Sequence, residues 1–125
     1  MGYQTFKELK VWQEARNLAI EIYKITEKGK FSSDFGLKSH IQRSALSIAS
    51  NIAEGYERNS DKEFVRFLLI LRGSISELRT QLEIAFEVGY LNKKCFEELD
   101  DKCQKIGAMI TRLIQHRKSR HPINR

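Results

Sequence analysis

Residues that break helices are scarce in this chain. The 125 residues include one proline and seven glycines, and no segment rich in proline, glycine or serine divides them. A β-sandwich or β-barrel needs many short strands joined by turns, and this sequence offers few turn signals. The length suits one domain, residues 1–125, rather than two. The composition therefore predicts long helices within a single domain.

Long apolar runs are also absent. The longest purely apolar run covers only positions 67–71, whereas a membrane-spanning helix needs about 20 such residues. The first ten residues mix Lys7, Glu8 and Lys10 with single apolar residues, so they lack the apolar core of a secretory signal. We therefore expect a cytoplasmic protein with no membrane segment.

Residues for metal binding or catalysis are few. Cys95 and Cys103 lie eight positions apart in a predicted helix, a separation of about 12 Å along its axis that is too long for a disulfide. His40, His116 and His121 are scattered, and no glutamate precedes a histidine by three positions. Neither a nucleophile and base pair nor a glycine-rich phosphate loop is evident. We expect free thiols, no metal or cofactor, and no enzymatic activity.

Apolar residues recur at steps of three and four along four segments, the spacing of one face of a helix. A second apolar stripe in the first segment contains Trp12, Ala19 and Tyr23. Short connections between four amphipathic helices imply an antiparallel up-down-up-down four-helix bundle. The predicted helices cover about residues 5–27, 34–54, 61–88 and 93–117, followed by a basic tail at 118–125.

Four residues indicate how these helices end or cross. Ser60 and Glu63 have the spacing of a capping box at the start of helix 3, and Asn92 is a suitable cap for helix 4. Gly89 supplies a stop after helix 3. Gly73 lies inside helix 3, where glycine costs about 1 kcal/mol relative to alanine, so we expect a close helix crossing there.

Helix 2 carries a single formal charge, Arg43, between positions 39 and 53. A helix so poor in charge is normally covered on most sides, so its spare surface suggests contact with another subunit. Antiparallel pairing predicts a buried ion pair between Arg43 and Glu77, because buried charges need partners. We assign a structural role, in a polar core or an interface, to Arg43, Ser47, Asn51, Glu54 and Glu77.

Positive charge is concentrated near the C-terminus. The chain has 22 Lys and Arg against 16 Asp and Glu, a net charge of +6, and residues 112–125 contain no acid. Such a cluster is either a solvated tail or an electrostatic site for nucleic acid. The candidate nucleic-acid residues are Arg112, Arg117, Lys118, Arg120 and Arg125, together with Lys93 and Lys94.

Several motifs resemble the four-helix bundle proteins encoded in 23S ribosomal RNA intervening sequences of bacteria. The most specific is Asn51-Ile52-Ala53-Glu54-Gly55, and the resemblance covers roughly residues 5–115. Ser32 stands where the family often has proline, and the last ten residues carry no family motif. The further similar segments are Gln42-Arg43-Ser44-Ala45, Phe35-Gly36-Leu37, Arg72-Gly73-Ser74 and Thr80-Gln81-Leu82.

This resemblance implies a bundle that assembles into a homopentamer. It also implies a relation to the accessory proteins of diversity-generating retroelements, which form basic pentamers that bind nucleic acid and a reverse transcriptase. No biochemical activity of the subfamily follows from it. A reverse transcriptase or another protein is therefore an expected partner, beside further copies of the chain itself.

Three functions stay open at this point. The favoured one is a non-enzymatic oligomer that binds RNA or DNA through its basic surface. The second is a protein adaptor or scaffold with no nucleic-acid role. The third and least favoured is a small-molecule enzyme, which would need a pocket lined by Arg43, Asn51, Glu54 and Glu77.

Overall fold

The computed structural model describes residues 5–120 of the chain. These residues form four long α-helices and two short 3-10 turns, and they contain no strand. No described helix is long and apolar enough to cross a membrane. The all-α prediction is therefore confirmed. The α-helices are α1 (Lys10–Thr26), α2 (Phe35–Glu57), α3 (Asp61–Glu87) and α4 (Lys93–Ser119).

The apolar faces of the four helices meet in one hydrophobic core. Their side chains follow one another at steps of three and four, so each helix turns a continuous stripe inwards. Fully burying one such aliphatic side chain contributes about 1.5–3 kcal/mol. Every helix supplies at least one large side chain to this core, as Ile22, Ile48, Leu78 and Ile106 illustrate.

The helices contact one another in the cyclic order α1, α2, α3, α4, and the contact between α2 and α3 is the most extensive. Polar contacts between neighbouring helices fix their register along the bundle axis. Gln42 Nε2 donates to Thr26 Oγ1 at 2.8 Å, which joins α2 to α1. The Ser47 and Ser74 hydroxyls lie 3.1 Å apart between α2 and α3, and Arg79 Nε donates to Asp100 Oδ1 at 2.7 Å between α3 and α4.

The helix caps occur where the sequence predicts them. Ser60 Oγ accepts from the Glu63 amide, and Asn92 Oδ1 accepts from the Cys95 amide. Gly89 has a φ of +90°, and the Tyr90 amide donates to the Ala85 carbonyl at 2.8 Å, which ends α3 in a Schellman motif. These three predictions are confirmed. The Glu63 carboxylate, however, accepts from Arg66 and does not complete the capping box.

Helix α1 begins at Lys10, not near residue 5. Thr5 caps a separate 3-10 turn, Phe6–Glu8, and Leu9 is extended between that turn and α1. The Phe6 ring packs edge-on against Trp12 with centroids 5.2 Å apart, and this contact stabilises the bend. At the other ends, α2 continues to Glu57 and α4 to Ser119, so Lys118 belongs to a helix and not to a tail.

The close helix crossing lies at Gly55, and the expectation for Gly73 was wrong. A Cβ on Gly55 would lie 2.7 Å from Phe67 Cβ and 3.0 Å from Phe64 Cδ1, so only glycine lets α2 approach α3 here. Gly73 is exposed, and nothing lies within 4 Å of a Cβ built on it. The sequence locates both glycines on helices, but only the rotation of each helix decides which one faces a neighbour.

Candidate nucleic-acid interface

The end of α4 is held against the start of α3 by a carboxylate between two arginines. Arg117 Nη1 lies 2.8 Å from Asp61 Oδ1, and Arg120 Nε lies 3.2 Å from Asp61 Oδ2. The Arg117 guanidinium also lies 4.7 Å from the centroid of the Phe64 ring, a cation–π contact. Only 18% of the Arg117 side chain is exposed, whereas 52% of the Arg120 side chain is exposed. Arg117 is therefore a structural residue, and Arg120 remains open to a ligand.

Two further candidates at this end of α4 are free to bind an anion. Arg112 and Lys118 are exposed, and neither makes an ion pair within the part of the chain that the structure describes. Lys62, in the first turn of α3 beside Asp61, is likewise exposed without an ion pair in residues 5–120. The sequence does not indicate Lys62 as a candidate, because only the contact between α3 and α4 brings it to this end. Arg112, Lys118, Arg120 and Lys62 together are called the basic end below.

Lys93 and Lys94 do not belong to the basic end. Both are exposed at the start of α4. The 24 steps along the helix from Lys93 to Arg117 span about 36 Å at 1.5 Å per residue. In a single copy of the chain the two lysines therefore lie at the other end of α4 from the C-terminal arginines, and their role in binding nucleic acid stays a prediction. Arg125, the last candidate, lies outside the described residues.

The small polar residues of α2 form a hydrogen-bonded cluster with α3. Asn51 Nδ2 donates to both the Ser47 carbonyl and the Ser47 hydroxyl at 2.9 Å, and that hydroxyl lies 3.1 Å from Ser74 Oγ. Ser74 is buried, and Ser47 and Asn51 are half-buried. Because these polar groups bond to one another, burying them costs little free energy. The cluster supports a structural role for Ser47 and Asn51.

The predicted buried pair between Arg43 and Glu77 is absent. Both side chains are exposed, and no ion pair joins them among the described residues. Glu54 is also exposed and accepts from Arg58 at 2.9 Å, one turn further along α2. These positions lie on the outer faces of α2 and α3, because the core takes up the opposite faces. Three of the four residues that an enzyme pocket would need therefore face solvent.

An apolar groove that the sequence does not predict as a site runs between α1 and α2. It has a volume of about 700 Å³ and is lined by both helices. One wall is formed by the second apolar stripe of α1, which contains Trp12, Ala19 and Tyr23. This stripe is the feature of the sequence from which the groove could have been predicted. The opposite wall is formed by Leu46, Ala49, Ser50 and Ala53.

The two thiols are free and differ in burial. Cys95 is half-buried, whereas Cys103 lies in the core. Burial raises the pKa of the Cys103 thiol to about 12, so it is protonated at neutral pH and a poor nucleophile. In residues 5–120 no cluster of three or more His, Cys, Asp or Glu side chains is arranged to hold a metal ion.

The fold defines a small all-α protein built on four long helices. The chain belongs to the family of 23S rRNA-intervening sequence proteins, whose pattern it matches over residues 7–112. It is similar to the crystal structure of a protein with unknown function from the S23 ribosomal protein family of Bacteroides thetaiotaomicron, with a TM-score of 0.76 and 23% identity. That match covers 83% of this chain and 97% of the other. A comparison with curated proteins gave no significant match.

Proposed function

We propose that this protein is a non-enzymatic, cytoplasmic homo-oligomer that binds RNA or DNA through the basic end. The observation that supports binding is the charge balance there. Arg117 and Arg120 share the single carboxylate of Asp61, and Arg112, Lys118 and Lys62 have no acidic partner in residues 5–120. Unpaired, exposed cations are the groups that replace counterions on a phosphate backbone.

The proposed architecture is an antiparallel up-down-up-down bundle. Contacts between neighbours support it, since residue numbers rise on one helix as they fall on the next: Asp61 contacts Arg117, and Arg79 contacts Asp100. The same relation holds for Gly55 beside Phe67 and Ser47 beside Ser74. In this arrangement the start of α3 and the end of α4 lie together, which brings Lys62 to the basic end.

Assembly into a ring, with five copies as the favoured number, would multiply these contacts. A single copy offers few phosphate contacts. Each contact to duplex DNA makes the slope of log affinity against log salt concentration more negative by about 0.9, so more contacts give a steeper dependence on salt. Several basic ends on one rim would together span a longer stretch of nucleic acid. Exposed apolar side chains on α1, α2 and α3, such as Ile20, Leu46 and Ile70, support the proposal that further surface is covered by other copies.

The experiment is a binding titration with structured RNA and with duplex DNA at several salt concentrations. The test variant is Arg112→Gln with Lys118→Gln, and the matched control is Lys93→Gln with Lys94→Gln, which removes the same charge from the opposite end. We expect the test variant to weaken binding and lower the salt slope, and the control to bind as the original chain does. Equal losses in both variants, or no binding at low salt, would overturn the proposal.

These point substitutions are preferable to deleting the end of α4. Ile114 is buried in the core, and Arg117 holds α4 to α3 through Asp61. A truncation after Leu113 would therefore remove structural contacts along with the charges. Circular dichroism of the two double variants should match that of the original chain, because all four replaced residues are exposed.

The second candidate is a protein adaptor, and the apolar groove between α1 and α2 favours it. An exposed groove lined by Trp12, Tyr23 and Leu46 is typical of a surface that another protein covers. In that case the basic end is incidental to function. Binding of a partner protein, such as a reverse transcriptase, that survives the Arg112→Gln and Lys118→Gln changes while nucleic-acid binding is absent would favour the adaptor.

A further inference from the structure

Six of the eight exposed large apolar side chains of the described residues fall on two faces that differ in charge, and Phe35 and Leu69 lie on neither. One is the groove between α1 and α2. The other is an outer stripe of α3 together with its C-cap residue, called the ridge below and defined by Ile70, Glu77, Ile84 and Val88. We propose that the ridge of one copy docks into the groove of the next copy. The inference rests on the self-assembly proposed above and names the two surfaces that perform it.

The groove is apolar at its centre and basic at its edge. Ile20, Tyr23 and Leu46 are 37%, 40% and 49% exposed. Arg16 and Lys24 also line it, and neither makes an ion pair with any carboxylate in residues 5–120. The groove therefore presents large apolar side chains beside positive charge that the chain itself does not neutralise.

The ridge is apolar with an acidic edge. Ile70, Glu77, Ile84 and Val88 are spaced seven, seven and four apart, so they lie along one stripe that runs from α3 onto its C-cap residue. The three apolar members are each about half exposed. Glu77 and Glu87 are exposed and form no ion pair with described residues, and the later half of the ridge, positions 80–88, contains no lysine or arginine. The ridge thus has the charge opposite to that of the groove.

Lys24 of the groove and Glu77 of the ridge lie at the same height along the bundle. Thr26 of α1 contacts Gln42 of α2, so Lys24 lies level with position 44. Ser47 contacts Ser74 of α3, so position 44 lies level with Glu77. When neighbouring copies stand side by side with their helices parallel, a lysine on one edge therefore meets a glutamate on the other.

The positions of the two faces favour a ring over a filament. Ile70 lies one turn before Ser74, which contacts α2, so the ridge is on the side of α3 nearer to α2. The groove opens on the other side of α2, between α2 and α1. The ridge and the groove are therefore on adjacent sides of the subunit and not on opposite sides. Because two different surfaces meet at each interface, every copy is rotated relative to the one before it. Repeated rotations in the same direction allow the copies to close into a ring.

The test is a reciprocal charge exchange, read out as molecular mass by light scattering and sedimentation over a range of protein concentrations. Lys24→Glu alone or Glu77→Lys alone places like charges across the interface, and we expect each to weaken subunit association about tenfold or more. The combined variant restores opposite charges and should associate within a few-fold of the original chain. Lys30→Glu and Glu97→Lys, which are exposed and lie off both faces, are the matched controls and should have no effect.

The outcomes separate this inference from the proposed function. An assembled original chain whose mass is unaffected by either single exchange overturns the inference but leaves self-assembly intact. Losses in the single variants that add up in the combined variant, with no recovery, also overturn it. If the original chain is strictly monomeric, both self-assembly and the inference are overturned. Nucleic-acid binding is tested independently of assembly by the titration described above. Circular dichroism of every variant shows whether a loss of mass reflects unfolding.

Discussion

Arg117 of α4 donates a hydrogen bond from Nη1 to Oδ1 of Asp61, at 2.8 Å, and so joins the last turns of one helix to the first turn of another. The Asp61 carboxylate is only 10% exposed, and it lies at the N-terminus of α3, where negative charge is favourable. A residue that the sequence places in a basic cluster for nucleic acid is therefore committed to holding the bundle together. The cluster has a structural part and a part that is open to ligands.

Replacement of Asp61 by asparagine should destabilise the protein. The change leaves the mostly buried Arg117 without its carboxylate, so we expect the free energy of unfolding to fall by roughly 1–3 kcal/mol. Asp101→Asn is the control, because Asp101 pairs with Lys105 on an exposed face, where such pairs contribute about 0.5 kcal/mol or less. Urea unfolding of both variants measures the difference. Equal effects would show that the Asp61 pair is as solvated as the surface pair.

The two helical glycines Gly55 and Gly73 should respond in opposite directions to alanine. Gly55→Ala places a methyl group against Phe67 and Phe64, and overpacking of this kind costs about 1–3 kcal/mol. Within a single copy Gly73→Ala meets open space on α3, so it should stabilise the fold of the isolated subunit by about 0.5–1 kcal/mol. Thermal unfolding provides the measurement. A stabilised Gly55→Ala variant would contradict the close approach of α2 to α3.

The hydroxyls of Ser47 and Ser74 should be energetically coupled. Each single alanine substitution removes their mutual hydrogen bond and is expected to cost about 1 kcal/mol. The double variant loses that bond only once, so its cost should be smaller than the sum of the two by about 0.5 kcal/mol or more. A double-mutant cycle by chemical denaturation measures this coupling. Strict additivity would mean that the two hydroxyls bond to water instead.

Stability should fall in acid partly through Asp100. The Arg79 guanidinium, with help from Gln104, holds the pKa of Asp100 below its ordinary value of 3.8. A carboxylate whose folded pKa is lowered contributes stability that is present above pH 3.8 and is lost as the pH falls through the folded value. In Asp100→Asn the stability should therefore decline less steeply below about pH 4. Hydrogen bonds also lower the pKa values of Asp34 and Glu63, so part of the decline remains.

Urea unfolding of the original chain and of Asp100→Asn at a series of acidic pH values measures that slope. Arg79→Gln removes the same ion pair from its other side and should flatten the profile in the same way. A variant profile parallel to that of the original chain would contradict a role for this pair in acid stability.

The features that the sequence predicted correctly are those set by nearby residues. A cap such as Ser60 or Asn92 bonds to an amide three residues away, and an apolar stripe depends only on spacing within one helix. The features that were missed depend on how helices are rotated against one another. The exposure of Arg43 and Glu77 and the location of the close crossing at Gly55 required the assembled core.

The candidate site shows the same division. The sequence identified Arg112, Lys118 and Arg120, which are neighbours on one helix, but it also grouped them with Lys93 and Lys94. Distance along a long helix separates those two lysines from the rest, while the fold adds Lys62 from another helix. Opposite charges on the groove and the ridge were likewise invisible, because they come from three helices.

Arg120 lies beside Asp61, and the Phe6 ring lies in the groove beside Ala53 near the end of α2, so both limits of the described chain are at the basic end. A bulky group attached near Thr5 or Arg120 will therefore lie next to the groups proposed to touch phosphate. The connection between α3 and α4 around Gly89 is at the far end and is exposed there. A label attached at that connection would lie away from the groups proposed to bind nucleic acid.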